Sequence, residues 1–147
     1  MEVKSTTKNF YEVTSKVTKT CEDGMEKVVK NTIAVSAVSF SDAENTAILY
    51  EGKPLNKVCA IKEAPYREYV EKVSYDVTDY TYYKVTVGLI TIDEKTEKEK
   101  VNKVAYLVNA DTTKEAQDII NTMYNNTMID YKIIAVQEST VTDVVLE

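Results

Sequence analysis

The chain has 147 residues, of which 44% are hydrophobic and 29% are charged. This is the balance of a soluble globular protein that is large enough to bury a core. It contains no histidine, which removes the commonest general base, the commonest metal ligand and any Ser-His or Cys-His dyad. Cys21 and Cys59 have neither a metal spacing nor the pattern of a disulfide framework. No apolar run reaches the roughly 20 residues of a membrane helix, and we therefore expect a cytoplasmic, non-enzymatic protein.

The net charge of −6 is unevenly placed along the chain. Residues 1–75 carry 11 basic and 11 acidic side chains, whereas residues 76–147 carry 7 and 13. An acidic half argues against a duplex wrapped over the whole surface, because phosphate contacts need clustered Lys and Arg. A local basic groove on the first half stays possible. Arginine occurs once, at Arg67, so bidentate base recognition is nearly unavailable.

A loose internal repeat sets the architecture. The segment Phe10-Tyr11-Glu12-Val13 is similar to Tyr82-Tyr83-Lys84-Val85, and residues 33–37 are similar to residues 106–110. We place the first copy at about residues 10–70, a connector at about 71–81 and the second copy at about 82–145. The whole chain, residues 1–147, is expected to form a single domain.

The first copy opens with a predicted hairpin. Residues 10–20 alternate between apolar and polar side chains, which is typical of a half-buried strand. Glu22-Asp23-Gly24 then predicts a tight turn, because glycine accepts the positive φ that such turns need. The return strand is expected over about residues 28–37.

A short helix and a third strand should complete the first copy. Ser39 and Asp42 form a capping-box-like pattern at the helix start, and Ala43, Thr46 and Ala47 give the helix a small apolar face. Gly52 and Pro54 are expected to end it. The third strand should cover about residues 57–63 and continue past Pro65.

The second copy repeats this order. A strand is expected to direct inward the side chains of Tyr83, Val85, Val87 and Leu89. After a charged turn over residues 93–100, the return strand should direct inward Val104, Tyr106, Val108 and Ala110.

The second helix carries the clearest signal of the chain. Thr112 and Glu115 form a capping box, at the position that Ser39 and Asp42 hold in the first copy. The amphipathic stripe of this helix consists of Ala116, Ile119, Ile120 and Met123. A final strand is expected over residues 131–145.

Each copy is therefore predicted to be a β-β-α-β unit. Two such units give an α+β fold with pseudo-twofold symmetry, in which two short helices cover antiparallel sheets. Exposed edge strands invite pairing between chains, so we expect a homodimer or a higher oligomer.

Tyrosine density is the best candidate signal for a binding site. Six of the eleven tyrosines lie between residues 66 and 83, with basic side chains among them. Single-stranded nucleic acid is bound by stacking bases on aromatic rings while cations follow the phosphates. The alternative is that these rings pack in half-buried strands. The predicted nucleic-acid-binding residues are Tyr66, Arg67, Tyr69, Lys72, Tyr75, Tyr80, Tyr82 and Lys84.

Short strings of the chain resemble a family of unknown function that occurs in Bacteroidetes genomes and in crAss-like phages. The similar strings include Tyr82-Tyr83-Lys84-Val85, Leu107-Val108-Asn109-Ala110 and Val136-Gln137-Glu138. Phe10 stands where the family usually has a tryptophan. The resemblance implies a phage or bacterial origin, with the host cytoplasm as the location of a phage-encoded protein. It implies no known active site.

The leading functional hypothesis is a non-enzymatic protein that binds single-stranded nucleic acid in genome replication. One alternative is a structural or assembly component of the virion, with other phage proteins as partners. Another is a protein that sequesters a small ligand or a partner to counter a host defence. No motif implies a cofactor or a metal, and no membrane partner is expected.

Overall fold

The computed structural model describes residues 2–4, 9–51, 57–71 and 81–146, which form nine strands and two helices. The strands are β1 (Glu2–Lys4), β2 (Asn9–Thr20), β3 (Glu26–Ala37), β4 (Lys57–Ala64), β5 (Tyr66–Glu71), β6 (Thr81–Ile92), β7 (Glu99–Ala110), β8 (Asp130–Glu138) and β9 (Val141–Val145). The helices are α1 (Phe40–Glu51) and α2 (Thr113–Asn125). The α+β class that the sequence predicts is confirmed.

The strands belong to two compact units. Unit 1 contains α2 and a five-stranded sheet in the order β1-β5-β7-β6-β8. Unit 2 contains α1 and a four-stranded sheet in the order β4-β2-β3-β9. Most of the predicted connector, residues 72–80, lies outside the described residues, and the assignment of one domain stays a prediction.

Two predicted strands are wrong in the same way, because each is divided between the two sheets. The third strand of the first copy stops at Ala64, and β5, which begins after Pro65, pairs with β7 in unit 1. Proline lacks the N–H group that would continue a ladder. The final strand stops at Glu138, and β9 pairs with β3 in unit 2.

These exchanges change the predicted topology. Each copy of the repeat is β-β-α-β-β, and the fifth strand joins the sheet that is formed by the other copy. The pairs β5–β7 and β3–β9 are parallel, so each sheet is mainly rather than entirely antiparallel. Ala64 and Tyr66 continue the apolar alternation across Pro65, which is why the pattern could not show this change of sheet.

The repeat extends to the hydrogen-bond register inside each unit. Tyr11 is opposite Val35 on β3, and its counterpart Tyr83 is opposite Val108 on β7. The pairing of β2 with β4 shifts between residues 14 and 15, and that of β6 with β8 shifts between residues 86 and 87. Equivalent residues can therefore be compared across the units, whereas the predicted pseudo-twofold symmetry stays a prediction.

The helices cover their sheets with side chains of different size. In unit 1, α2 buries Ala116, Ile120 and Tyr124 against strand residues such as Val85. In unit 2, the side chains of α1 that are described as buried are small, among them Ala43 and Ala47, which pack against the sheet. No described helix is long and apolar enough to cross a membrane.

Both predicted capping patterns are confirmed. Thr112 Oγ1 accepts a hydrogen bond from the Glu115 amide at 3.1 Å, and the Glu115 carboxylate accepts one from the Asp111 amide at 3.3 Å. Ser39 and Asp42 make the corresponding pair of bonds at the start of α1. Gly52 and Pro54, the predicted end of α1, lie outside the described residues.

Candidate anion-binding cavity

Three basic side chains converge on one cavity in unit 1. The cavity has a volume of about 460 Å³ and lies on the strands β5, β6 and β7. Its lining consists of Pro65, Arg67, Lys84, Thr86, Lys103, Val104 and Ala105. Among the described residues, none that lines this cavity is acidic, although the second half of the chain carries the excess of acidic residues.

The antiparallel register of β6 and β7 positions two of the cations. Thr86 is opposite Ala105, Lys84 is opposite Leu107, and Lys103 is opposite Gly88. Lys84 and Lys103 are thus placed on either side of the Thr86–Ala105 pair, about 14 Å apart along the strands at about 3.4 Å per residue. Their long, flexible stems allow both ammonium groups to reach a ligand above this pair.

A β-bulge positions the third cation. Tyr66 pairs with Ala105 and Glu68 pairs with Tyr106, so Arg67 is the extra residue of β5. A bulge commonly redirects a side chain next to a functional site. Here the bulged Arg67 lines the cavity from β5, on the other side of β7 from Lys84.

The lining of the cavity provides no opposite charge for these three residues. Among the described residues, no carboxylate lines the cavity beside Arg67, Lys84 or Lys103. Like charges around one cavity repel each other, and an anion placed between them removes this repulsion. Arg presents a planar fork of donors that matches phosphate or carboxylate oxygens, while Lys acts as a compact point charge.

Comparison with known proteins identifies the family of the chain. The profile of the domain of unknown function DUF4494 matches residues 9–147. The chain belongs to this family. No curated protein and no solved structure matches the chain.

Tyrosines of this DUF4494 domain that were predicted to stack on bases are buried where the structure describes them. Tyr66, Tyr69 and Tyr82 are 7%, 5% and 5% exposed, and the rings of Tyr69 and Tyr82 lie 6.2 Å apart between centroids. Rings with so little exposed surface offer little of a face to a base, and nucleic-acid binding at these three residues stays a prediction. Lys72, Tyr75 and Tyr80 lie outside the described residues.

The structure brings together two of the predicted binding residues and adds two others. Arg67 and Lys84 both line the cavity. Lys103 and Thr86 also line it, but a search based on the density of tyrosines does not select them. The alternation of β7, continued backward from Ala105, would place Lys103 on the same face of the sheet. Finding the site therefore requires the strand register, which composition does not supply.

The strongest pKa shift among the described residues concerns a hydroxyl pair in the core of unit 1. The hydroxyl oxygens of Tyr106 and Tyr124 lie 2.6 Å apart, and both side chains are buried. Burial, followed by the hydrogen bond with Tyr124, raises the pKa of Tyr106 well above its ordinary value near 10. Tyr106 pairs with Val85 in the core cluster under α2, so this pair stabilises the fold and does not line the cavity.

Metal ligands do not cluster in the described part of the chain. Within residues 2–4, 9–51, 57–71 and 81–146, no group of three or more His, Cys, Asp or Glu side chains is arranged to hold a metal ion. The arrangement of charges at the cavity is suited to an anion.

Proposed function

We propose that this DUF4494 protein is a non-enzymatic binding protein that captures a small phosphate-bearing ligand of nucleotide size in the cationic cavity. The observation that supports this most directly is the convergence of Arg67, Lys84 and Lys103 in a chain whose net charge is −6. Cations that converge on one cavity without a lining acid repel each other and attract an anion.

The size of the cavity favours a small ligand. Pockets for small molecules usually have volumes of about 300–1,000 Å³, and this cavity has about 460 Å³. A nonspecific site for a nucleic acid strand would also need exposed aromatic rings. The described tyrosines of the predicted site are buried.

The lining residues are suited to binding a ligand rather than to catalysing a reaction on it. Arg67 can hold two oxygens of one phosphate, the two lysines can compensate further charge, and the Thr86 hydroxyl can donate or accept a hydrogen bond. A protein of this kind could sequester a nucleotide. A phage origin and a role against a host defence belong to this proposal.

Single-stranded nucleic acid is the second candidate ligand. It is supported by the positions of Lys84 and Lys103, which are separated along the strands and could contact more than one phosphate of a strand. In this case the affinity should fall as the salt concentration rises. The logarithm of the binding constant should decrease against the logarithm of the salt concentration with a slope of about −0.7 for each phosphate neutralised. The virion role stays a prediction.

Matched charge variants test the proposal. The test variant combines Arg67→Gln, Lys84→Gln and Lys103→Gln, and the control combines Lys95→Gln, Lys98→Gln and Lys100→Gln at the exposed end of the β6–β7 hairpin. Both lower the net charge equally. Calorimetric titration with ATP, GTP and pyrophosphate, and fluorescence anisotropy with a labelled oligothymidylate, would measure binding.

Each result has a defined meaning. Binding of a nucleotide by the wild type and the control but not by the test variant supports the first candidate. Salt-sensitive binding of the oligothymidylate alone, with the same dependence on the variants, supports the second. Equal binding by test and control variants, or no binding by the wild type, overturns both.

A further inference from the structure

A glycine within β6 brings two aliphatic side chains together beside the cationic cavity. The residues on either side of Gly88 pack under α2, so Gly88 belongs to the opposite face of the sheet, together with Thr86 of the cavity. A Cβ atom on Gly88 would lie 2.8 Å from Val101 Cγ1 and 2.9 Å from Ile134 Cδ1. These two side chains therefore occupy the space that a side chain at residue 88 would take. We call Val101 and Ile134, together with Gly88 beneath them, the aliphatic floor.

The aliphatic floor is partly exposed and borders the cavity. Val101 is 40% exposed and Ile134 is 41% exposed, so a ligand that covers them removes apolar surface from water. Lys103, which lines the cavity, is opposite Gly88 on β7. The Thr86–Ala105 pair of the cavity is two residues from Gly88 along the strands, about 7 Å at about 3.4 Å per residue. One ligand of nucleotide size can therefore contact both places.

The first copy of the repeat shows that the sheet does not need this floor. Gly88 corresponds to Lys16 of unit 2, and Ile134 corresponds to Cys59, which is the extra residue of β4 as Ile134 is of β8. The register is the same in both units, although unit 2 has a long side chain in place of the glycine and a smaller one in place of the isoleucine. The floor is thus a feature of unit 1 that does not repeat.

We propose that the aliphatic floor binds the base of a nucleotide whose phosphate occupies the cationic cavity. This inference rests on the proposed function, because the phosphate in the cavity holds the ligand beside the floor. Proteins bind nucleobases by packing aromatic or apolar side chains on their flat faces. The sugar of a nucleotide would bridge the short distance between the cavity and the floor.

The charges beside the floor set the direction of this ligand. Lys132 of β8 is also opposite Gly88, so Lys103 and Lys132 flank the floor about 10 Å apart, at about 4.8 Å between neighbouring strands. The exposed Asp130 is opposite Ile90, two residues further from the cavity. Its carboxylate repels a phosphate and can accept a hydrogen bond from an amino group of a base. The phosphate is therefore expected at the cavity and the edge of the base at the Asp130 end.

Two variants alter the floor in different ways. The first combines Val101→Thr and Ile134→Thr, which keeps β-branched residues in the strands and makes the floor polar. The second is Gly88→Ala, whose Cβ would displace both aliphatic side chains. It should fold, because unit 2 has a lysine at this position in the same register. The control combines Val28→Thr and Ile48→Thr, which are the same replacements at positions of unit 2 that are 67% and 48% exposed.

Calorimetric titration of the full chain with AMP, GMP, ribose 5-phosphate and pyrophosphate tests the proposal. Ribose 5-phosphate has the sugar and the phosphate of both nucleotides but no base, and pyrophosphate tests the cavity alone. We expect at least one nucleotide to bind the wild type and the control about tenfold more tightly than ribose 5-phosphate, the lower end of the effect of an apolar contact. Both floor variants should lose this difference and bind pyrophosphate as the wild type does.

The outcomes separate this inference from the proposed function. If the wild type binds pyrophosphate but binds the nucleotides no better than ribose 5-phosphate, the base site is overturned and the cavity is not. The base site is also overturned if the floor variants behave like the control. Loss of pyrophosphate binding in the floor variants has the same meaning, because these residues would then shape the cavity rather than contact a base. If the wild type binds none of the four ligands, both proposals are overturned.

Discussion

The two units pair their equivalent strands in the same register, but the residues that line the cavity of unit 1 differ from those at the equivalent positions of unit 2. Thr86 and Ala105 of unit 1 correspond to Thr14 and Thr32 of unit 2, and the hydroxyl oxygens of this threonine pair lie 3.0 Å apart. Lys84 corresponds to Glu12, so a cation is replaced by an acid. Of the three cations, only Lys103 has a basic counterpart, Lys30.

The bulged position shows the same contrast. The residue that corresponds to Arg67 is Thr142, the extra residue of β9. Its hydroxyl donates a hydrogen bond to Asn31 Oδ1 at 2.7 Å. In unit 2 the bulge directs a small polar group to a partner on the neighbouring strand, whereas in unit 1 it directs a cation into a cavity. The repeated features form the fold, and the features that do not repeat are the candidates for function.

The largest predicted effect concerns the helix that covers each sheet. Ile120 of α2 is fully buried, and its counterpart in α1 is Ala47. Ile120→Ala removes buried methyl groups and leaves a cavity, which should cost about 2–5 kcal/mol of unfolding free energy. Urea denaturation would measure it. A cost below about 1 kcal/mol would show that the core of unit 1 relaxes around the smaller residue.

The next effect concerns the tyrosine pair of unit 1. Tyr106→Phe leaves the buried Tyr124 hydroxyl without its partner and should cost about 1–3 kcal/mol at neutral pH. The pKa of Tyr106 is raised in the folded state, so the stability it contributes is present below the unfolded value near pH 10 and is lost as the pH rises further. The stability difference between wild type and Tyr106→Phe should therefore shrink above about pH 10. Denaturation at pH 7 to 11 tests this, and a constant difference would contradict it.

A buried hydroxyl of unit 2 gives an effect of opposite sign. Ser15 is fully buried, and its Oγ has no hydrogen-bond partner among the residues that the structure describes. Its counterpart in unit 1 is Val87, which is also fully buried. Ser15→Val should therefore stabilise the protein by about 1–2 kcal/mol, because it removes an unsatisfied polar group. Val87→Ser is the matched reverse change and should destabilise it.

Much of the fold could be predicted from the sequence, because local patterns determine it. Alternation of apolar residues located β2, β3, β6 and β7, and the caps at Ser39 and Thr112 located both helices. The exchange of β5 and β9 could not be predicted, because it depends on which strand each of them pairs with, β7 or β3, far away in the sequence. Parallel pairing of this kind leaves no local pattern of its own.

The candidate site was predictable only in part for a related reason. Arg67 and Lys84 are close to the tyrosines in sequence. Lys103 is distant in sequence and lines the same cavity because β6 pairs with β7. The same tyrosines are abundant because large amphipathic rings suit buried strand positions. Abundance along the sequence is therefore expected of packing as well as of binding, and Tyr66, Tyr69 and Tyr82 are buried. Strand register was needed to identify the cavity.

The two hairpin turns allow a smaller comparison. Gly24 in the turn between β2 and β3 has a φ of 81°, and Glu97 in the turn between β6 and β7 has a φ of 56°. A side chain in this region is disfavoured by roughly 1–2 kcal/mol relative to glycine. Gly24→Ala should therefore destabilise the protein and Glu97→Gly should stabilise it, each by about 1 kcal/mol. Thermal denaturation of both variants is the measurement, and shifts of the same sign would contradict the assignment.

The smallest predicted effect tests whether the cations of the cavity are needed for ligand binding but not for folding. Unit 2 keeps the same register with Glu12 and Thr142 in place of two cations, so the positive charges are not required to form the sheet. Neutralising Arg67, Lys84 and Lys103 to glutamine should change the stability by no more than about 0.5 kcal/mol, with a slight gain at low salt where repulsion is strongest. A ligand that binds the cavity should raise the melting temperature of the wild type and leave that of the triple variant unchanged. A loss of several kcal/mol without ligand would instead make these cations part of the fold.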